Sequence, residues 1–154
     1  ENAARSAQGC MGRALKLLRE GGHAGIFPEM FVRFVRSAFM AKKKTAELNR
    51  LLEWADRMAA LSREQQKQFL QYCCEVFRQG LMYNYGASAL VYPQKFADGF
   101  NFESFAGYVH GRNIADIYRE LDRAQYHIER NANSKLVFFS TAVNLTRYLH
   151  TKPI

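Results

Sequence analysis

The pattern predicts an all-α helical bundle, and three observations carry that prediction. Apolar residues recur at i, i+3, i+4 and i+7 along successive stretches of the chain. Only three prolines occur in 154 residues and the ten glycines cluster, too little punctuation for an all-β domain built on many turns. Apolar residues make up 48% and charged residues 23%, the balance of a globular domain, and a chain of this length can bury a core without disulfides or metals. No uninterrupted apolar run approaches eighteen residues, so no membrane-spanning segment is expected. The sequence opens on Glu1 with no signal-peptide pattern, and reads as a piece of a longer chain.

The elements follow in order. Phe27, Met30, Phe31, Phe34, Val35 and Ala38 keep helical spacing, with Pro28 suited to the first turn and Arg33 and Arg36 on the opposite face. A second helix is expected from Thr45 as N-cap, with Glu47 in its first turn. Its expected buried stripe is Leu48, Leu51, Leu52, Ala55 and Met58 or Ala59, while Trp54, Met58 and Leu61 form another. Ser62 and Gln65 have the spacing of a capping box and begin a third helix, lined by Phe69, Leu70, Cys73, Val76, Phe77 and Leu81 and stopped near Gly86. A loop with a short apolar turn at Leu90 and Val91 precedes a short aromatic helix from Phe102 to His110.

Asn113 is expected to cap the next helix, whose stripe is Ile114, Ile117, Leu121, Ala124 and Ile128. Asn131, Ala132 and Asn133 interrupt it. The last helix, Ser134 to His150, is apolar on two sides: Leu136, Phe139 and Val143 on one, Phe138, Ala142, Leu145 and Leu149 on the other. Two such stripes on each of two helices exceed what one small bundle covers, which marks an interaction surface, although a central bundle helix is also apolar nearly all round. Trp54, Phe138, Val143, Arg147 and Tyr148 are the candidate interface residues.

Lys plus Arg exceed Asp plus Glu by 22 − 14, a net charge of +8. The densest cluster is Lys42, Lys43 and Lys44, which with Arg33 and Arg36 form a candidate DNA contact. Three phosphate contacts would give a log–log salt slope of only about −3, so the basic balance permits a nucleic-acid neighbourhood without establishing one. The same lysines also suit the negative end of a helix dipole. Cys10, Cys73 and Cys74 lack zinc-site spacing and read as free thiols of a reducing cytoplasm. No phosphate-cradling or HExxH motif occurs, the four histidines are scattered, and no catalytic residue, metal ligand or cofactor site is expected.

Two stretches carry a family resemblance. Residues Ala3 to Leu15 resemble the sensor-2 region that closes the AAA+ lid in clamp-loader subunits, and Arg130 to Leu136 resemble the closing segment of the same subunits. With the aromatic helix from Phe27 to Phe39 and the capped helix at Ser62, the whole chain is similar to the C-terminal region of the delta-prime family of bacterial DNA polymerase III clamp-loader subunits. The resemblance implies residues 1–22 as the last helix of the lid and residues 23–154 as an α-helical collar domain. It also implies a non-catalytic role in DNA replication: packing against the collars of other loader subunits to support loading of the sliding clamp, with DNA met indirectly. Gly12 stands where ATP-binding members carry the sensor-2 arginine, and Arg13 falls about 100° further round the helix, so this position is degenerate. The alternative is a basic helical module that binds single-stranded or primed DNA directly.

Overall fold

The computed structural model describes residues 26–41, 45–91, 96 and 99–153. The lid segment 1–22, with Gly12 and Arg13, and the triple lysine 42–44 lie outside the described residues. Six α-helices follow one another, and no strand occurs among the described residues: α1 Ile26–Ala41, α2 Ala46–Ala59, α3 Arg63–Asn84, α4 Phe102–Ala106, α5 Ile114–Glu129 and α6 Ser134–Leu149, with a 3-10 turn at Ser88–Leu90.

The start of α3 meets the end of α5, where Arg63 Nη1 donates to the Ile128 and Ala132 carbonyls at 3.1 and 3.2 Å, so the two run antiparallel. Helices α5 and α6 are also antiparallel, since Asn113 reaches Tyr148 at one end and Glu120 reaches Asn144 further along. Helix α2 packs along α6 in the opposite direction, with Asp56 against Lys135 and Leu48 level with Val143 and His150. Helix α1 packs against both.

Aromatic rings join these helices. Phe31 of α1 is fully buried and meets Tyr72 and Phe77 of α3, Phe105 of α4, and Phe96 and Phe100, at centroid distances of 5.5 to 6.4 Å. Three of these contacts are edge-to-face with α3 or α4, the arrangement that matches positive ring edge to negative face and adds about 0.5–1.5 kcal/mol per pair to the area term. A second cluster stacks Trp54 between Phe34, Phe69 and Phe138, at 5.2, 6.0 and 5.9 Å. Gly80 admits the short helix: a Cβ there would meet the Phe105 ring at 3.4 Å and Val109 at 3.5 Å.

The helix ends confirm some sequence signals and correct others. Ser62 and Gln65 form the expected capping box. Helix α3 stops in a Schellman motif, with Gly86 at φ 81°, Ala87 N–H on the Met82 carbonyl and Gly86 N–H on that of Tyr83. Helix α5 stops the same way on Asn131 at φ 62°, with Ala132 N–H bonded to the His127 carbonyl. Thr45, by contrast, is itself helical and makes no side-chain cap bond. Asn113 makes none either. Its side chain is spent inside the protein, where Oδ1 accepts from His110 N–H at 3.0 Å and Nδ2 donates to the Tyr108 and Tyr148 carbonyls at 2.7 and 3.1 Å. His110 joins the knot through Nε2 and the Thr151 carbonyl at 2.9 Å.

Two substitutions test this account. Phe31→Ala is expected to lower stability by about 3–5 kcal/mol in urea titration, and Phe31→Leu by clearly less, because only the alanine leaves a cavity between α1, α3 and α4. Asn113→Ala, which strands one donor and two carbonyls, is expected to cost about 2–4 kcal/mol and to speed amide exchange over the last turn of α6.

Candidate interaction face on helices α2 and α6

Helix α2 has more apolar residues than its neighbours can cover, and the structure decides which are left outside. Glu47, Leu51, Trp54, Ala55 and Met58 turn inward. The expected stripe is therefore rotated: Leu48 and Leu52 remain 38% and 36% exposed. The cause is Trp54, whose large ring enters the aromatic cluster and whose Nε1 donates to the Met30 carbonyl at 3.0 Å, fixing that side of α2 toward α1. On α6 the side bearing Phe138, Ala142, Leu145 and Leu149 is buried, and the side bearing Leu136, at 65% exposure, and Val143, at 40%, faces out.

These two leftovers adjoin. The i, i+4 row Leu48, Leu52 and Asp56 runs along α2 beside the antiparallel row Val143, Phe139 and Lys135 of α6, closed at one end by the 2.9 Å Asp56–Lys135 ion pair. At the other end lies an open cleft of ≈ 370 Å³, lined by Leu48, Leu51, Val143, Thr146, Arg147, His150 and Thr151. Arg147 is exposed beside it, with a 3.4 Å contact to Asn144 Oδ1 and its guanidinium 5.5 Å from the Tyr148 ring centre. The His150 ring is held by Nδ1–H donation to the Thr146 carbonyl at 2.7 Å and by an edge contact with Phe39.

The five residues proposed from sequence as an interface thus divide. Trp54 and Phe138 are corrected to core: they are 5% and 0% exposed and pack on each other. Val143 and Arg147 lie on the outer face, and Tyr148 is half-buried, its carbonyl engaged by Asn113. Leu48, Leu52 and His150 belong to the face and were not proposed. Arg33 and Arg36 are exposed on α1, a different element from the cleft, and Arg33 is bridged to Glu29 at 2.7 Å.

The two described thiols sit apart from the face on α3 and are both free. Burial pushes Cys73 well above the ordinary thiol range, with the neighbouring Cys74 adding to it. Burial, helped by the Asp122 carboxylate, pushes Cys74 up to about 11. Both are therefore neutral and weakly nucleophilic at physiological pH. Among the described residues no group of three or more His, Cys, Asp or Glu side chains is placed to hold a metal ion, and no helix is long and apolar enough to cross a membrane. Comparison with known proteins found no matching family model, curated protein or solved structure.

The thiol environment has a pH consequence. Because the folded state holds the Cys74 pKa above its ordinary value, its contribution to stability is full below about pH 9 and declines as pH rises through 9 toward 11. Urea titrations at pH 7 and pH 10 are expected to show that loss, and Cys74→Ala to reduce it.

Proposed function

We propose that the chain is a non-catalytic assembly domain, acting as a collar-like module of a DNA polymerase III clamp loader of the delta-prime kind. In this reading it packs against the corresponding helical domains of sister subunits, needs no cofactor, and meets DNA through the assembly rather than by itself. The observation that carries the reading is the apolar face of α2 and α6, where Leu48, Leu52 and Val143 stay exposed after the bundle has closed on its own core. Apolar side chains left outside on the facing rows of two packed helices are the form an association surface takes. The choice of the clamp loader rests on the resemblance of residues 3–15 and 130–136 and of the two helices between them.

The expected outcome is specific. Mixed with the C-terminal domains of the other loader subunits, the 154-residue chain should co-elute with them in size exclusion. The neutral substitutions Leu48→Gln and Val143→Gln should abolish co-elution while changing stability by no more than about 0.5 kcal/mol, as surface changes do. A folded wild-type chain that elutes alone would sink the proposal.

A further inference from the structure

The size of the exposed apolar strip sets a limit on what it can do unaided. Leu48, Leu52 and Val143 are each 36 to 40% exposed, so covering them returns only a minor part of what full side-chain burial does. Three such gains do not offset the rigid-body entropy lost on association. A lasting occupant must add polar contacts from the rim, where the cleft end differs from the Asp56 end. Among the described residues no acidic side chain lines the cleft, and Arg147 supplies its formal charge. Among the described residues no carboxylate lies within ion-pair distance of Arg147. At the far end of the strip Asp56 is already paired with Lys135.

From this we infer that the α2–α6 face receives an acidic amphipathic helix of another protein, with an apolar i, i+3, i+7 stripe on the Leu48–Val143 strip and a carboxylate at its flank on Arg147. The inference rests on the reading of this face as an assembly surface and adds the chemistry of its occupant. Charge also ranks the two occupants this chain could itself supply. A second copy would bring a further chain of net charge +8. Residues 1–25 carry Arg5, Arg13, Lys16 and Arg19 against Glu1 and Glu20, 4 − 2 or +2. Neither carries a net negative charge. The span fits a short helix: Lys135, at the closed end, to Arg147 covers twelve residue steps, about 18 Å, or roughly three turns. Charge complementarity then sets specificity and encounter rate while the strip supplies the dry contact.

Three labelled 16-residue helical peptides with one Leu stripe and flanks of Glu, Gln or Lys would be titrated into the full 154-residue chain and followed by fluorescence anisotropy. The Glu-flanked peptide is expected to bind about tenfold or more tightly than the Lys-flanked one, a gap of the size one well-placed charge contact supplies. High salt should narrow that gap. Arg147→Glu should invert the order, and Val143→Gln should weaken all three. Equal binding of the three peptides, or no binding of the Glu-flanked one, overturns the inference. So does self-association in sedimentation that Val143→Gln removes, which would give the face to a second copy. Co-elution with loader domains without any charge preference would leave the assembly reading standing and end this one. An acidic preference without co-elution would do the reverse.

Discussion

The contact on which the rest of the structure depends is the meeting of aromatic rings from α1, α2, α3 and α6 in one continuous layer. Phe31 binds α1 to α3 and α4, and the Trp54, Phe69 and Phe138 cluster binds α2 and α3 to α6. Each short helix alone would be marginal in water, because nucleating a helix costs more than its first hydrogen bonds return. The rings change that balance: each buries a large apolar area and fixes orientation through edge-to-face geometry. Once Phe31 and Trp54 are placed, the angular setting of α1 and α2 has little freedom left.

That setting has a cost at the surface, and the cost is what gives the molecule a candidate role. Helix α2 cannot turn both the Trp54 side and the Leu48–Leu52 side inward. Trp54 wins because its ring is larger and its N–H finds the Met30 carbonyl. Helix α6 meets the same constraint between α2 and α5, and leaves Leu136 and Val143 out. The exposed face is thus a consequence of how the interior is filled, with Leu48 of α2 left beside Val143 of α6.

Polar knots hold the two ends of the bundle. At one end the Gln66 side chain, 1% exposed, donates to the Met58 and Leu61 carbonyls and accepts from the Ser134 hydroxyl, tying α2, α3 and α6 together. At the other, Asn113 and His110 fasten the approach to α5 onto the last turn of α6. Most buried polar groups are hydrogen-bonded, and these residues make their bonds largely to carbonyls at or near helix ends. The α2–α6 cleft is therefore framed by a backbone pinned at both ends.

Periodicity alone determined that the chain is helical and where most helices begin and end. The Ser62 box, the Gly86 stop and the Ile117, Leu121, Ala124 and Ile128 stripe are local signals, each depending on residues within a turn or two of one another, and the structure reproduces them. The same local reasoning placed the N-caps at Thr45 and Asn113 but not their bonds: neither side chain caps its helix, and that of Asn113 is taken by partners that include the distant Tyr148 carbonyl. It also assigned Trp54 and Phe138 to the surface and Leu48 and Leu52 to the core. An apolar residue carries no mark of which neighbour will cover it. Which stripe of a doubly apolar helix is buried is settled by the volumes, ring orientations and hydrogen bonds of helices far away in sequence, and so belongs to the tertiary structure.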